Sequence, residues 1–510
     1  MLPASRRQLL TAAAGSAAYS ACGGRRTAKD TRPNILLAIA DDQSHAHTSM
    51  NGSRVVSTPN FDRIAREGVW FTHSFTACPS CTPSRSAVLS GRHIWQLGEG
   101  GVLYGTMPRE LPLFSDALKK AGYCTGFTGK GWGPGEWRAA GRTEHPIGVE
   151  FNRRKHAAEM PAALDPRDYA ANFEEFLTAR PAGAPFFFWL GSTEPHRVFT
   201  RGAGLKAGKK LDDVELPPYW PDHEIVRSDV LDYAVEVDWF DKQLGRALAV
   251  LEKTGELENT LIVVTSDNGM AFPRAKVNLY DRGTRMPLAM RWGRRVVSPG
   301  RRAAEMVSHV DLAPTFLEAA GLPATPGMAG RSLLPLLTSA EPDPKRDRVF
   351  FGLERHTICR PGGATYPMRA MRTRDTLSIV NFAPDRWPTG GEFISSNKTT
   401  HGDVDAGPIK DFMLERRREY RQQYELCFGQ RPREENFALA ADPHQMHPSP
   451  GANAELLSYL RAAADPRVEG RDIWQAYPYR QTIGFGASFN TAAPAKEREA
   501  ARERPTHKPE

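Results

Sequence analysis

The chain has 510 residues, of which 40% are hydrophobic, so it is long enough for a large buried core and for more than one domain. Lysine and arginine number 67 against 59 acidic residues, and the resulting net charge of +8 fits an acidic substrate. No basic-aromatic repeat, zinc-finger spacing or second Cys-x-x-Cys motif accompanies the single Cys78–Cys81 pair, which argues against nucleic-acid binding and a zinc ribbon.

Residues 1–30 predict an export signal. Arg6-Arg7 precedes a weakly apolar stretch of small residues, a pattern similar to the twin-arginine signals that export folded proteins. Tyr19-Ser-Ala-Cys22 resembles a lipobox, which would make Cys22 a lipid anchor at the cell surface. Without that anchor, cleavage nearby would leave a periplasmic or secreted protein, and the remaining alternative is a disordered N-terminal tail. No later apolar run is long enough for a transmembrane helix, so we expect membrane attachment only through Cys22.

Apolar and amphipathic segments alternate through the first two thirds of the chain. Continuous apolar runs predict buried strands, and runs of helical periodicity predict helices between them. The predicted strands are 34–40, 123–127, 186–190 and 260–265, and the predicted helices are 61–67, 113–121 and 229–255. This alternation is typical of an α/β domain with a doubly wound, mostly parallel sheet, which we assign to residues 31–341.

Each of the four predicted strands is followed by polar or charged residues. These residues are Asp41-Asp42, Lys130, His196 and Asp267-Asn268. Any one of them alone could belong to an ordinary turn, where Asp and Asn are common. Open α/β sheets bind their ligands beyond the carboxyl ends of the strands, so we expect these side chains to converge there.

Cys81-Thr-Pro-Ser-Arg85 lies directly before an apolar helical run. Pro83 lacks a backbone N–H and suits a first helical turn, which places Cys81 at a helix N-terminus that favours an anion. Arg85 would add a charge-assisted contact from the same turn. The alternative interpretation is a structural cysteine, buried or disulfide-bonded.

The pattern changes near residue 342. A strand at 349–353, a hairpin over 366–380 and a charged helix at 411–424 predict a smaller α+β domain with an antiparallel sheet, over residues 342–490. Residues 491–510 lack large apolar side chains and predict a disordered tail.

The converging residues suit the chemistry of an anionic group. Carboxylates and one side-chain amide form an all-oxygen set, which selects Ca²⁺ or Mg²⁺. Arg85, Lys130 and Lys276 would balance further negative charge, and His196 would donate a proton to a leaving group. The set therefore indicates sulfuryl or phosphoryl transfer, with residue 81 as the nucleophile.

Four motifs, in this order along the chain, resemble the active site of the type I, formylglycine-dependent sulfatases. They are Asp41-Asp42, Cys81-Thr-Pro-Ser-Arg85, Gly129-Lys130 and Asp267-Asn268-Gly269, and the similarity extends over roughly residues 32–480. The resemblance implies an alkaline-phosphatase-like fold and a Ca²⁺ ion held by Asp41, Asp42, Asp267, Asn268 and the modified Cys81. It further implies that a formylglycine-generating enzyme oxidises Cys81 to formylglycine (3-oxoalanine), whose hydrate attacks sulfur while Arg85 and Lys130 hold the group. A twin-arginine leader would allow this oxidation before export.

Within the family, the resemblance is greatest to the N-sulfoglucosamine sulfohydrolases, or heparan sulfamidases. The segments that carry it are 272–280 and Tyr366-Pro-Met-Arg369. By this match Lys276 is a basic sulfate-binding residue. Glu354, His356 and Arg369 become candidates for sugar recognition, with a solvated loop as the alternative.

The chain departs from the family at one position. Many sulfatases carry a histidine two residues after the Gly-Lys lysine, where this chain has Trp132. The resemblance therefore assigns no base for collapse of the sulfated intermediate. Either another base acts, such as His93 or His45, or this chain positions the group differently. Trp132 either shapes a pocket for a sugar face or belongs to the core.

We therefore expect an exported sulfatase that acts on sulfated sugars, with a heparan-type glucosamine N-sulfate favoured. One alternative is an arylsulfatase or another O-sulfatase. Another is a phosphonate or phosphate monoesterase of the alkaline phosphatase superfamily. A non-enzymatic alternative is an inactive protein that binds sulfated glycans.

Overall fold

The computed structural model describes residues 32–157, 163–393 and 399–480. The predicted export signal with Cys22 and the predicted tail from residue 491 lie outside these ranges. Within them, no helix combines the length and the apolar character needed to cross a membrane. The five cysteines in these ranges are all buried.

A nine-stranded sheet forms the centre of the described structure, in the order β4-β3-β5-β1-β6-β8-β2-β7 with β9 beside β2. Its strands are β1 Asn34–Ala40, β2 Val69–Phe75, β3 Cys124–Gly129, β4 Val149–Glu150, β5 Phe186–Gly191, β6 Thr260–Ser266, β7 Arg285–Met286, β8 Leu288–Arg291 and β9 Arg301–Ser308. Neighbours β3, β5, β1 and β6 pair in parallel, so their carboxyl ends meet at one edge. Since β8 is antiparallel to both β6 and β2, the chain also leaves β2 at that edge. The predicted mostly parallel sheet is confirmed.

Helices cover both faces of this sheet. They are α1 Pro59–Glu67, α2 Cys81–Ser90, α3 Phe114–Lys120, α4 Tyr169–Ala179, α5 Ala203–Lys206, α6 Glu224–Lys253, α7 Asp281–Thr284, α8 Leu312–Ala319 and α9 Leu334–Thr338. Along β1, Ile35, Leu37 and Ile39 pack with side chains of α2, α3 and α8. The alternate residues Leu36 and Ala38 pack with α1, α4 and α6. Because both faces are buried, the strand needs apolar residues at every position, which is why its sequence is a continuous apolar run.

A second sheet is antiparallel, as predicted for the C-terminal region. Its strands β10 Arg348–Leu353, β11 Met368–Thr373, β12 Thr376–Asn381 and β13 Glu434–Ala438 are adjacent in that order. The helices of the C-terminal region are α10 Pro408–Glu415, α11 Arg421–Phe428 and α12 Ala454–Ala462. The sheet packs on the end of β2, where the rings of Phe75 and Phe351 stack with centroids 5.9 Å apart.

The single helix predicted over 411–424 is wrong, because two helices occupy this region. α10 ends at Glu415 and α11 begins at Arg421. In one straight helix Phe412 and Phe428 would lie about 24 Å apart along the axis. The break brings both rings into one buried cluster, and the three consecutive arginines 416–418 occupy the exposed turn between the helices.

Candidate active site

The structure brings together the polar residues that follow β1 and β6. The backbone N–H of Asp42 donates to Asp267 Oδ1 at 3.1 Å, and Asn268 Nδ2 donates to Asp42 Oδ1 at 2.6 Å. Asp41, Asp42 and Asp267 are all fully buried. The parallel pairing of β1 with β6 therefore places three carboxylates and one amide in a compact, water-excluded group.

Cys81 is the first residue of α2, with Ser80 as an N-cap whose side chain makes no capping bond. Its Sγ lies 3.7 Å from Asp41 Oδ1, inside the acidic group. Burial raises the pKa of this thiol, and the nearby ammonium groups of Lys130 and Lys276 lower it by less. The unmodified thiol therefore stays protonated at neutral pH and is a weak nucleophile.

Arg85 lies one helical turn after Cys81 and joins the ends of two strands. Its Nε donates to Asp267 Oδ2 at 2.8 Å, and its Nη1 donates to the carbonyls of Lys130 and Gly131, each at 2.8 Å. Its Nη2 is buried without a hydrogen-bond acceptor among the described residues and lies 3.8 Å from Asp41 Oδ1. Arg85 thus links the ends of β3 and β6 and keeps one donor free for an anion.

Two lysines and a histidine complete the group. Lys130 Nζ donates to Asp41, and Lys276 Nζ donates to Asp42 Oδ2 at 2.8 Å. His196 Nε2 lies 3.7 Å from Asp42 Oδ2, and burial is the main reason why the pKa of this imidazole falls to about 4. His196 Nδ1 lies 2.6 Å from the carbonyl of Arg197, which can only accept, so Nδ1 carries a proton and Nε2 faces the acids.

The donor atoms fit a hard divalent cation. Ligand atoms of Asp41, Cys81 and Asp267 lie within 4.8 Å of one another, as do those of Asp42, Cys81 and His196. Asn268 Oδ1 is buried and accepts no hydrogen bond from the described residues. Burial raises the pKa of Asp42 to about 7. The charge of Lys276 acts to lower this pKa, and the charge of Asp41 raises it further. A Ca²⁺ or Mg²⁺ ion would use the free amide oxygen and relieve this crowding of carboxylates.

The three predicted sugar-recognition residues occupy two different environments. His356 Nδ1 lies 2.8 Å from Ser80 Oγ, which places this ring directly beside the residue that precedes Cys81. Arg369, by contrast, bonds Glu354 Oε1 at 2.7 Å and Asp465 Oδ2 at 2.5 Å in a fully buried ion-pair cluster. Glu354 and Arg369 therefore form ion pairs with each other and with further buried partners.

Trp132 lies in the core between the sheet and its helices. Its side chain is 1% exposed, and its Nε1 donates to Ser86 Oγ of α2 at 2.8 Å. His93 stacks on Trp95 and bonds the hydroxyl of Tyr459. His45 is half-buried, and burial together with the charge of Arg285 lowers the pKa of its ring. The histidines near Lys276 are instead His196 and His356. Burial lowers the pKa of both rings, and the charge of Lys276 lowers it further.

Asp405 is a site residue that the sequence analysis did not identify. Its Oδ2 lies 3.2 Å from Lys276 Nζ, which also pairs with Asp42. It belongs to a loop of the C-terminal region, far from every motif in the sequence, and Gly-Asp-Val-Asp-Ala-Gly is an unremarkable loop composition. Only the packing of α10 against α6 reveals its position.

The chain is similar in sequence to a known protein family and to individual sulfate-releasing enzymes. The family model described as Sulfatase matches residues 33–322. Human N-sulphoglucosamine sulphohydrolase is 29% identical over 495 residues, covering 87% of this chain and 92% of that protein. N-acetylglucosamine-6-O-sulfatase of Bacteroides thetaiotaomicron is 27% identical over 414 residues, covering 62% of this chain and 73% of that protein.

Solved structures share the fold. A protein in complex with its substrate D-glucosamine-2-N,6-O-disulfate aligns with a TM-score of 0.62 at 20% identity, covering 87% of this chain and 100% of the other. The phosphonate monoester hydrolase of Agrobacterium radiobacter aligns with a TM-score of 0.56 at 19% identity, covering 86% of this chain and 96% of the other. The predicted alkaline-phosphatase-like architecture is confirmed.

Proposed function

The chain belongs to the sulfatase family, and from this premise we propose that it hydrolyses sulfated sugars, with the N-sulfate of a heparan-type glucosamine as its favoured target. The observation that carries the proposal is the position of Cys81. It lies at an uncapped helix N-terminus, 3.7 Å from a carboxylate of the buried acidic group, with Arg85, Lys130 and Lys276 around it. The N-sulfate preference is supported by the 29% identity to human N-sulphoglucosamine sulphohydrolase over 92% of that protein.

We propose that Cys81 is oxidised to formylglycine by a formylglycine-generating enzyme, and that Asp41, Asp42, Asp267, Asn268 and residue 81 hold Ca²⁺. The hydrated aldehyde would supply a nucleophilic oxygen, and the cation would polarise the oxygens of the sulfate. Two observations support this assignment. Burial raises the pKa of the unmodified Cys81 thiol, which makes it a poor nucleophile, and Asn268 Oδ1 is a buried acceptor with no partner among the described residues.

The remaining residues bind the sulfate and move a proton. Lys130 and Lys276 each pair with one carboxylate of the acidic group, and their ammonium groups would balance the negative charge of a sulfate bound there. Arg85 Nη2 offers a further donor in the same region. His196 would act through Nε2, because its Nδ1 proton stays hydrogen-bonded to the Arg197 carbonyl. Nε2 would take up a proton from solvent water to form the imidazolium and pass that proton to the leaving nitrogen or oxygen.

Export belongs to the same proposal. The Arg6-Arg7 pair and the lipobox-like Tyr19–Cys22 support a periplasmic or cell-surface enzyme, anchored through Cys22 if that residue is lipidated.

A sulfate-release screen tests the function. The substrates are N-sulfoglucosamine, glucosamine 6-O-sulfate, an aryl sulfate and an aryl phosphate, each assayed with wild type and with Cys81→Ala. We expect N-sulfoglucosamine to give the highest kcat/KM and Cys81→Ala to release no sulfate. A higher kcat/KM for an O-sulfate would contradict the N-sulfate preference, and faster phosphate release would favour the phosphomonoesterase alternative. Binding of sulfated glycans without turnover would favour the inactive glycan-binding alternative.

Mass spectrometry tests the modification separately. Peptides of active protein that contain residue 81 should carry an aldehyde in place of the thiol. An unmodified thiol in fully active protein would rule out the proposed nucleophile.

A further inference from the structure

Asp405 differs from the other acids around Cys81 in its access to solvent. Its side chain is 29% exposed, whereas Asp41, Asp42 and Asp267 are fully buried. It shares Lys276 Nζ with Asp42, at distances of 3.2 Å and 2.8 Å. Asp405 therefore lies at the rim of the site, next to an ammonium group that we assign to sulfate binding.

The surroundings of Asp405 keep its carboxylate charged. Burial acts to raise the pKa of this acid, but the charges of Lys276, His196 and His356 outweigh it and hold the pKa well below its usual range. The ionised group is a pure acceptor with two oxygens, and the structure shows one ion pair to Lys276. The exposed part of the carboxylate is thus available to a donor on the substrate.

The loop that carries Asp405 is fixed to the catalytic domain. Asp229 Oδ2 of α6 accepts a hydrogen bond from the N–H of Ile409 at 3.2 Å. A Cβ at Gly407 would lie 2.4 Å from Arg197 Nη1, so a larger residue here would displace the guanidinium that Asp229 holds. Arg197 directly follows His196 in the chain, and the same contacts therefore hold Asp405 and His196 in a fixed relation.

The chemistry of the two sulfate types differs at the atom that leaves. The bridging oxygen of an O-sulfate ester has no hydrogen, whereas the nitrogen of an N-sulfate carries an N–H, and its product amine becomes an ammonium ion. A carboxylate accepts a hydrogen bond from either nitrogen species and forms an ion pair with the ammonium. The same carboxylate repels an additional sulfate or carboxylate placed at this point.

We propose that Asp405 recognises the amino group of the sugar, both as the N–H of the N-sulfate and as the ammonium of the product. This inference rests on the proposed function and specifies its substrate class as an amino sugar whose nitrogen lies on the side of His196 and Asp405. Asp405 acts as a specificity determinant for the leaving group, and the bond to sulfur is broken by the residues around Cys81.

Calorimetric titration tests the inference without requiring turnover. D-glucosamine and D-glucose are titrated into calcium-loaded wild type, Asp405→Asn, Asp405→Ser and the control Asp385→Asn, which alters an exposed aspartate of the same C-terminal region. We expect wild type and Asp385→Asn to bind glucosamine at least about tenfold more tightly than glucose, as for a charged hydrogen bond. Both Asp405 variants should lose that difference while keeping the wild-type unfolding temperature.

A kinetic comparison separates recognition from simple support of Lys276. In Asp405→Asn, kcat/KM should fall about tenfold further for N-sulfoglucosamine than for an aryl sulfate. Equal losses on both substrates, or equal binding of glucosamine and glucose by wild type, would overturn the inference. If wild type prefers O-sulfates while glucosamine binding still depends on Asp405, the N-sulfate preference fails and recognition of the amino group stands.

Discussion

Asn268 has an amide group whose two ends have different surroundings. Its Nδ2 donates to Asp42 Oδ1 at 2.6 Å and to the carbonyl of Gly269 at 3.0 Å, while its Oδ1 is buried and accepts no hydrogen bond from the described residues. A buried polar atom without a partner costs about 1–3 kcal/mol of stability. A cation at this oxygen offsets that cost, so the protein should be more stable with calcium bound.

At the residue scale, we therefore predict that Asn268→Ala removes most of the stabilisation by calcium. Calcium at about 100 times its Kd should stabilise wild type by about 2.7 kcal/mol relative to protein in EDTA. Loss of the amide oxygen raises the Kd, so the calcium-dependent rise in unfolding temperature should shrink in Asn268→Ala. Differential scanning calorimetry with and without calcium measures this rise. The control Asn436→Ala, on β13, should behave as wild type, and an unchanged rise in Asn268→Ala would show that this amide does not bind the ion.

At the scale of elements, the long helix α6 positions two of the loops that form the site. Arg197 donates to both carboxylate oxygens of Asp229 on α6, at 2.9 and 2.6 Å, and its Nε donates to the carbonyl of Ala271 at 3.0 Å. Its guanidinium also lies 4.5 Å from the centre of the Phe272 ring. One buried ion pair thus fixes the loop of His196 and the loop that leads to Lys276 against the same helix.

Breaking this pair should cost far more than breaking a similar pair at the surface. Asp229→Asn leaves the buried Arg197 charge without a counter-charge, which typically costs about 3–5 kcal/mol. Asp222 pairs with Arg227 of α6 in the same two-bond geometry, but its side chain is 70% exposed, so Asp222→Asn should cost less than about 1 kcal/mol. Thermal unfolding of both variants measures the difference, and kcat should fall only in Asp229→Asn. Equal stability of the two variants would contradict the role of the buried pair.

Local sequence patterns predicted the elements that the site depends on. The runs at 34–40 and 260–265 are continuous and apolar because both faces of β1 and β6 are buried, so the polar residues after them marked the strand ends. β2 was not among the predicted strands, although Val69–Phe75 is mostly buried, because it contains polar side chains at Thr72, His73 and Ser74. Asp405 was missed for a different reason, since tertiary packing alone determines its distance to Lys276.

At the scale of the whole molecule, the C-terminal sheet supports the loop that presents Cys81. The N–H of Gly352, in β10, donates to the carbonyl of Ala77 at 3.1 Å. From the catalytic domain, the N–H of Val277 donates to the carbonyl of Pro79 at 2.9 Å. The ring of His356 reaches Ser80 Oγ from the C-terminal side. The loop before Cys81 is therefore supported by both parts of the chain.

Buried histidines should make the whole protein sensitive to acid. Burial lowers the pKa of His47, His93 and His309 from 6.5 to about 3, so these rings stay neutral in the folded protein. Between pH 6.5 and about pH 3 the unfolded chain binds more protons than the folded one, so stability is lost as the pH falls below 6.5. Each such histidine contributes about 1.4 kcal/mol per pH unit in this window.

His309→Gln tests this expectation at a site where the ring is fully buried and its Nε2 lies 3.0 Å from Thr265 Oγ1. Glutamine can keep a hydrogen bond to that hydroxyl but does not titrate, so the variant should lose less stability than wild type between pH 6.5 and pH 5. The midpoint of urea unfolding, measured across this range, gives the comparison. The control His447→Gln replaces an exposed histidine and should follow the wild-type curve. If His309→Gln and wild type show the same pH dependence, His309 is protonated equally in both states and does not contribute to the acid sensitivity.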